Sequence, residues 1–99
     1  MVVRGRRLTE LLLGSKTETP IISITGLTIA DCGSMQTVEL SNISTLQGTV
    51  NLSECHSLRE AYCKGTALSN IRLPEGCGLE KVEYPSTNKY LVLRKYPLL

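Results

Sequence analysis

Aliphatic residues recur at fixed places in four nine-residue phrases of this 99-residue chain. The phrases are LTIADCGSM, VNLSECHSL, IRLPEGCGL and LVLRKYPLL, which begin at Leu27, Val50, Ile71 and Leu91. The first, third and ninth residues of every phrase are aliphatic or Met, and the second is polar in three of the four. Because side chains alternate between the two faces of a strand, this pattern predicts a short strand with one face buried.

A second apolar pattern follows, in which the ninth residue of a phrase begins a run of the form apolar-x-x-apolar-x-apolar. The run occurs at Leu8, Leu11 and Leu13, at Met35, Val38 and Leu40, at Leu58, Ala61 and Cys63, and at Leu79, Val82 and Tyr84. Each unit therefore predicts two short strands. The first run lies in RRLTELLLG, which is the only helix candidate, and we expect a strand there. PIISITG, between Gly14 and Gly26, is a candidate for an additional strand.

The phrases are spaced 23, 21 and 20 residues apart, and periods of about 20 to 29 residues are typical of stacked coils. One coil cannot bury its own apolar side, whereas stacked coils bury a continuous core. We predict a mainly β fold, a short right-handed solenoid of leucine-rich-repeat type, with about four coils of 20–23 residues and two short parallel strands per coil. We expect residues 1–99 to form one repeat domain, with an irregular N-terminal coil at 1–26 and regular repeats at 27–99. No C-terminal cap is evident, which predicts a fragment of a longer array, a subunit that packs end to end, or a truncated open reading frame.

The L-x-x-L-x-L core of residues 35–40, 58–63 and 79–84 resembles leucine-rich repeats. That family places Asn or Cys three residues after the last Leu, where this chain has Ile43, Thr66 and Thr87. The convex helix of the family is missing too. LPEGCGLEKVEYP resembles shortened, strand-rich variants in surface proteins of gut and oral bacteria. GTALSNIRLPEGCGLEKVEYPSTNKYLVLRKYPLL resembles repeats in virion and tail proteins of crAss-like gut bacteriophages.

The resemblance implies a non-enzymatic structural or interaction module of a bacteriophage virion or tail protein. The alternative that it implies is a bacterial cell-surface module that binds a host protein or glycan. A virion or a bacterial surface is accordingly the favoured location. The expected partners are a protein or further repeats of the same array.

Composition narrows these expectations only slightly. A net charge of +2 gives no reason to expect a nucleic-acid partner. No apolar run approaches the roughly 20 residues of a membrane-spanning helix, so we expect no membrane insertion. The chain has four Tyr but no Phe or Trp, which predicts a thin core of aliphatic side chains.

The cysteines and the single histidine are candidates for chemistry. Cys32 and Cys55 share the sixth phrase position, so a disulfide between adjacent coils is sterically allowed, although stacked side chains that point the same way favour free thiols. We expect Cys63 to be a buried hydrophobe and Cys77 to lie on a turn. No C-x-x-C spacing exists, and we expect no zinc site and no cofactor. His56 follows Cys55, but neighbours on an extended segment point to opposite faces, so we predict no catalytic pair and no enzyme.

Outward positions of the second strand of each unit include several charged residues. Glu39, Tyr62 and Glu83 should form a ladder on an exposed face, with Arg59 and Lys81 beside it. Two interpretations remain open for this face. It could bind a partner, as the faces of solenoids do, or it could be a solvated charged surface that keeps the stack soluble.

Overall fold

The computed structural model describes residues 1–74 and 78–85. These residues contain no α-helix, and hence no helix that could cross a membrane. Their strands are β1 (Val2–Arg4), β2 (Glu10–Leu12), β3 (Thr28–Ala30), β4 (Thr37–Glu39), β5 (Gln47–Asn51), β6 (Glu60–Tyr62), β7 (Ala67–Arg72) and β8 (Lys81–Glu83). The strand expected within RRLTELLLG is confirmed as β2.

Every strand pair described is parallel, and the chain alternates between two columns of strands. One column is a four-stranded sheet in the order β2-β4-β6-β8, and the other contains the pairs β1-β3 and β5-β7. The predicted mainly β solenoid is therefore confirmed, although it makes about three turns rather than four. The fourth phrase, which begins at Leu91, and the question of a cap after it lie outside the described residues.

Strand register follows the period of the sequence. Val38 of β4 is paired with Leu11 of β2 and with Ala61 of β6, and Ala61 is in turn paired with Val82 of β8. In the second column Val50 is paired with Ile71. These pairs confirm the predicted equivalence of the repeat positions, because a slip of one residue would turn every apolar side chain outward.

The core lies between the two strand columns. The first and ninth phrase positions supply six of its members, all 6% exposed or less: Leu27, Val50, Ile71, Met35, Leu58 and Leu79. Full burial of one such side chain stabilises the fold by about 1.5–3 kcal/mol. Cys63 is also fully buried, as expected. Each coil thus covers the apolar side of the coil before it.

Left-handed backbone marks the turn that follows the four-stranded sheet. Asn42, after β4, has φ 66°, and Gly65, after β6, has φ 79°. The Asn42 side-chain Nδ2 donates a hydrogen bond of 2.8 Å to the carbonyl oxygen of Ser15, which links this turn to the preceding coil. A Cβ on Gly65 would overlap Asn42 Oδ1, so both the backbone angle and the close stacking require glycine there.

Two features of the first coil differ from the prediction. The additional strand proposed for PIISITG is wrong, since residues 20–26 form no strand. Pro20 has no N–H to donate, and this segment meets β5 through the Thr25 carbonyl oxygen, which accepts from the Gln47 N–H at 3.0 Å. The repeat pattern did not predict β1, which pairs with β3 from Val2↔Thr28 to Arg4↔Ala30.

Candidate functional site

Two columns of side chains run along the outer face of the four-stranded sheet. Because alternate residues of a strand share a face, each strand contributes one residue to each column. The first column contains Glu10, Thr37, Glu60 and Lys81, and the second contains Leu12, Glu39, Tyr62 and Glu83. The register of the predicted ladder is thus confirmed.

The expected exposure of that ladder is wrong at two of its members. Glu39 is 8% exposed and Tyr62 is 6% exposed, so both are buried. Arg59 and Lys81 are exposed as expected, and Glu83 is half-buried. Glu39 and Tyr62 are buried because strands flank them on both sides and because the segment after β2 folds over Tyr62.

Lys16 is the residue that covers the ladder. Its Nζ lies 3.6 Å from the centroid of the Tyr62 ring, which is the geometry of a cation–π contact. The neighbouring Ser15 is held in place because its N–H donates to the carbonyl oxygen of Ser41 at 3.0 Å. Lys16 was missed by sequence reasoning, since it belongs to none of the repeated patterns.

A hydrogen-bonded carboxylate anchors the centre of the face. The Tyr62 hydroxyl donates to Glu60 Oε1 at 2.7 Å, and the Thr37 hydroxyl donates to Glu60 Oε2 at 3.4 Å. The bond from Tyr62, together with the charges of Lys81 and Lys16, lowers the pKa of Glu60. Burial and the bond to Glu60 raise the pKa of Tyr62 to about 12. Near neutral pH the pair is therefore a fixed anion beside a neutral phenol.

Glu39 and Ser41 form the floor next to this pair. The Ser41 N–H donates to Glu39 Oε1 at 3.0 Å. Burial, with a further contribution from Glu39, raises the pKa of the Cys63 thiol to about 12. The Ser41 hydroxyl is itself buried and has no hydrogen-bond partner among the described residues. A buried hydroxyl of this kind is unusual, because most buried polar atoms are paired.

Two adjoining clefts open at the ends of these strands. The smaller cleft, of about 210 Å³, is lined by Lys16, Ser41, Asn42, Lys64 and Glu83. The larger cleft, of about 460 Å³, is lined by Lys16, Tyr62, Glu80, Lys81, Val82 and Glu83. Lys16 and Glu83 belong to both, so the clefts lie side by side.

The clefts bring together three of the five residues predicted for a partner-binding face, namely Tyr62, Lys81 and Glu83. Glu39 is buried, and neither it nor Arg59 is among the lining residues. The main chain of Arg59 still supports the site, because its carbonyl oxygen accepts from the Glu80 N–H at 2.7 Å and the Lys81 N–H at 3.1 Å. A binding role for the five residues stays a prediction.

The other candidates for chemistry are separated by the fold. Cys32, Cys55 and Cys63 are buried free thiols, which agrees with the stacked-thiol interpretation of Cys32 and Cys55. Cys55 is buried and His56 is exposed, so the predicted divergence of these neighbours is confirmed. Burial, Cys32 and Glu54 raise the pKa of Cys55 to about 11, which disfavours the nucleophilic thiolate. Cys77 lies outside the described residues.

Residues 1–74 and 78–85 bring together no group of three His, Cys, Asp or Glu side chains that could hold a metal ion. No protein-family model, curated protein or solved structure matches the chain. The stacked parallel strands thus establish a β-solenoid, and the resemblance to leucine-rich repeats stays a hypothesis.

Proposed function

We propose that the chain is a non-enzymatic structural and interaction module that contacts its partner through the outer face of the four-stranded sheet. The observation that supports this role is the pair of adjoining clefts beside hydrogen-bonded parallel strands, whose linings include Lys16, Tyr62, Lys81 and Glu83. The inner strands β4 and β6 are hydrogen-bonded along both edges, which holds their side chains in place and lowers the entropy lost on binding.

The charge of the clefts favours a polar partner. Both ammonium and carboxylate groups line the walls, with Lys16 and Lys81 in the same cleft as Glu80 and Glu83. Mixed charge of this kind contributes orientation and specificity more than raw affinity. The mixed charge also distinguishes this face from a purely basic surface, which would attract polyanions without selectivity.

The proposal is tested by site-specific photo-crosslinking. A benzophenone amino acid placed at Lys81, in the larger cleft, should yield discrete adducts with virion preparations or bacterial envelopes. The same residue at Arg72, which is exposed at the end of β7 in the other strand column, is the matched control and should yield none. Equal labelling from both positions, or adducts at Arg72 alone, would contradict a role for this face.

The biological setting is proposed from the sequence resemblance. A bacteriophage virion or tail protein is the first candidate, and a bacterial cell-surface protein that binds a host protein or glycan is the alternative. Mass spectrometry of gradient-purified virions and of washed host cells separates the two. Peptides of this chain that co-purify with infectious particles support the first setting, and peptides confined to uninfected cells support the second.

Association with further repeats is a second candidate role, and the surface of the first coil favours it. The large hydrophobic side chains that are exposed among the described residues all lie in this coil: Met1, Val2, Leu8, Leu12 and Ile21. Strands β1 and β2 also have one edge that pairs with no described strand. An apolar face beside open strand edges favours stacking of another coil.

Light scattering after size exclusion tests this second role. The wild-type mass should rise with concentration, and the double variant Val2→Lys with Leu12→Lys should remain monomeric. Thr9→Lys is the control, since Thr9 is exposed in the same coil and is polar already. A wild-type chain that stays monomeric at every concentration would count against self-association.

A further inference from the structure

We infer that the smaller cleft binds an acidic sugar, a pyranose ring that carries a carboxylate. This inference rests on the proposed binding role of the sheet face and names a ligand for it. The cleft lies where the chain leaves β4 and β6, and its lining includes Lys16 from the segment after β2 and Glu83 from β8. Residues on or directly after all four strands of the sheet therefore meet around one opening.

Two ammonium groups make the cleft suitable for a carboxylate. Lys16 and Lys64 come from different coils and line the same opening, whereas Glu83 is the one carboxylate in its lining. Hydrogen bonds between an ammonium and a carboxylate are stronger than bonds between neutral groups. Lys16 is already oriented by the Tyr62 ring, so less freedom is lost when it binds an anion.

The buried hydroxyl of Ser41 provides the second, independent indication. Ser41 is 3% exposed and lines the cleft, and its Oγ has no hydrogen-bond partner among the described residues. A hydroxyl can donate one hydrogen bond and accept others, so rotation of the Ser41 side chain toward the cleft would let a ligand hydroxyl satisfy it. Glu83 accepts hydrogen bonds from further hydroxyls. A sugar ring supplies both kinds of group.

The shape of the site favours a sugar over an acidic peptide. A peptide that adds to a sheet needs a free strand edge, but β4 and β6, which lead into the smaller cleft, are each paired on both edges. A peptide side chain would need an apolar anchor, but the Tyr62 ring is covered and Val82 is the one aliphatic residue in the lining of either cleft. A cleft of about 210 Å³ is also smaller than the ~300–1,000 Å³ of sites for drug-sized ligands.

The larger cleft extends the site to an oligosaccharide. It shares Lys16 and Glu83 with the smaller cleft and adds Lys81 and Glu80. A second ring attached to the first would therefore meet one more ammonium and one more carboxylate. Binding should strengthen from one sugar ring to two or more, because the first contact places the next ring beside the larger cleft.

Titration of the ¹⁵N-labelled chain with galacturonate and its oligomers tests the inference. Amide shifts should appear at Ser41, Asn42 and Lys64, galactose should produce no saturable shift, and oligogalacturonate should bind more tightly than the monomer. Lys64→Gln should weaken oligogalacturonate binding about tenfold. Arg72→Gln removes the same charge from the other strand column and should change the affinity less than about twofold.

Ser41→Ala provides a variant that separates binding from folding. Loss of an unpartnered buried hydroxyl should leave stability equal or higher, whereas binding of oligogalacturonate should weaken about threefold. Galactose that binds as tightly as galacturonate, or a Lys64→Gln affinity equal to wild type, would overturn the assignment. Tetraglutamate that binds more tightly than the sugar would replace it with an acidic peptide. If all these ligands fail while crosslinking at Lys81 persists, the sugar assignment falls and the binding face stands.

Discussion

The first coil and the inner coils place equivalent residues in different surroundings. Leu12, Glu39 and Tyr62 occupy one column of the four-stranded sheet, yet Leu12 is 62% exposed while Glu39 and Tyr62 are 8% and 6% exposed. The apolar leucine is thus the exposed member, and the acid is buried. Burial in this fold depends on whether a coil lies on both sides of a residue, and residue type is secondary.

The inner face shows the same difference. Leu11 of the first coil is half-buried, whereas its partners Val38 and Ala61 are completely buried. In a stacked-coil protein the stability is close to a sum of single-coil and nearest-neighbour contributions. A side chain covered on one side takes part in about one interface between coils, and a side chain covered on both sides takes part in two.

Truncation of one leucine in the first coil and one in an inner coil should give the largest difference in free energy of unfolding. Leu58→Ala removes a fully buried side chain from an inner coil and should lower the free energy of unfolding by about 2–5 kcal/mol. Leu12→Ala makes the same chemical change at an exposed position and should lower it by less than about 0.5 kcal/mol. Urea unfolding followed by circular dichroism measures both. Similar losses for the two variants would show that coverage by neighbouring coils does not govern stability here.

A methyl group at Gly14 tests how tightly the first coil stacks on the second. The Gly14 N–H donates to the carbonyl oxygen of Glu39 at 2.9 Å, and an added Cβ would overlap the backbone of Leu40 and Ser41. Gly14→Ala should therefore lower the free energy of unfolding by about 1–3 kcal/mol.

Gly33→Ala is the matched control for Gly14→Ala. A Cβ at Gly33 would meet no atom within 4 Å, and Gly33 is not among the positive-φ glycines. This variant should match or slightly exceed wild-type stability, because alanine restricts the unfolded chain. If Gly14→Ala unfolds at the same urea concentration as Gly33→Ala, the first coil is held less closely than the structure indicates.

Periodicity predicted the stacking well. The alternation at Val38, Ala61 and Val82 identified the inward column, and the repeat spacing identified the register, because both follow from local geometry that a strand imposes on its own sequence. Pairing of Val50 with Ile71 was found by the same means. Register is thus a property of the repeat itself.

Coverage of the outer face could not be predicted in this way. Nothing in the sequence pattern places Lys16 over Tyr62, because that contact depends on the path of a non-repeating connection. The same limit explains why Glu39 and Tyr62 were expected to be exposed. β1 was missed because the run that begins at Leu8 comes seven residues after Met1, whereas Met35 comes eight residues after Leu27, so this segment does not match the nine-residue phrase.

Removal of the Tyr62 hydroxyl tests how much its hydrogen bond to the Glu60 carboxylate stabilises the inner coils. Tyr62→Phe removes the donor to Glu60 and should lower the free energy of unfolding by about 0.5–1.5 kcal/mol at neutral pH. The folded pKa of Tyr62 is raised from 10.0 to about 12, so its contribution is present below about pH 10 and is lost as pH rises towards 12. The wild type and Tyr62→Phe should therefore converge in stability over this range. A gap that stays constant up to pH 12 would contradict the assignment.

Neutralisation of Lys16 should have the smallest effect on the free energy of unfolding. It tests the contact between the segment after β2, in the first coil, and Tyr62 in the inner coils. Lys16→Met keeps the length of the side chain but removes the cation over Tyr62, which should lower the free energy of unfolding by about 0.5–1 kcal/mol.

Lys16 also helps to hold the pKa of Glu60 below its ordinary 4.5, so the variant should raise that pKa, measured by carboxyl-detected NMR titration. Because a lowered carboxyl pKa stabilises the fold above about pH 4.5 and is lost as pH falls through the folded value, the wild type should lose more stability than Lys16→Met on acidification. Lys64→Met is the control, since Lys64 is exposed and is not among the causes of the Glu60 shift. Equal Glu60 titrations in Lys16→Met and the wild type would place Lys16 away from the carboxylate in solution.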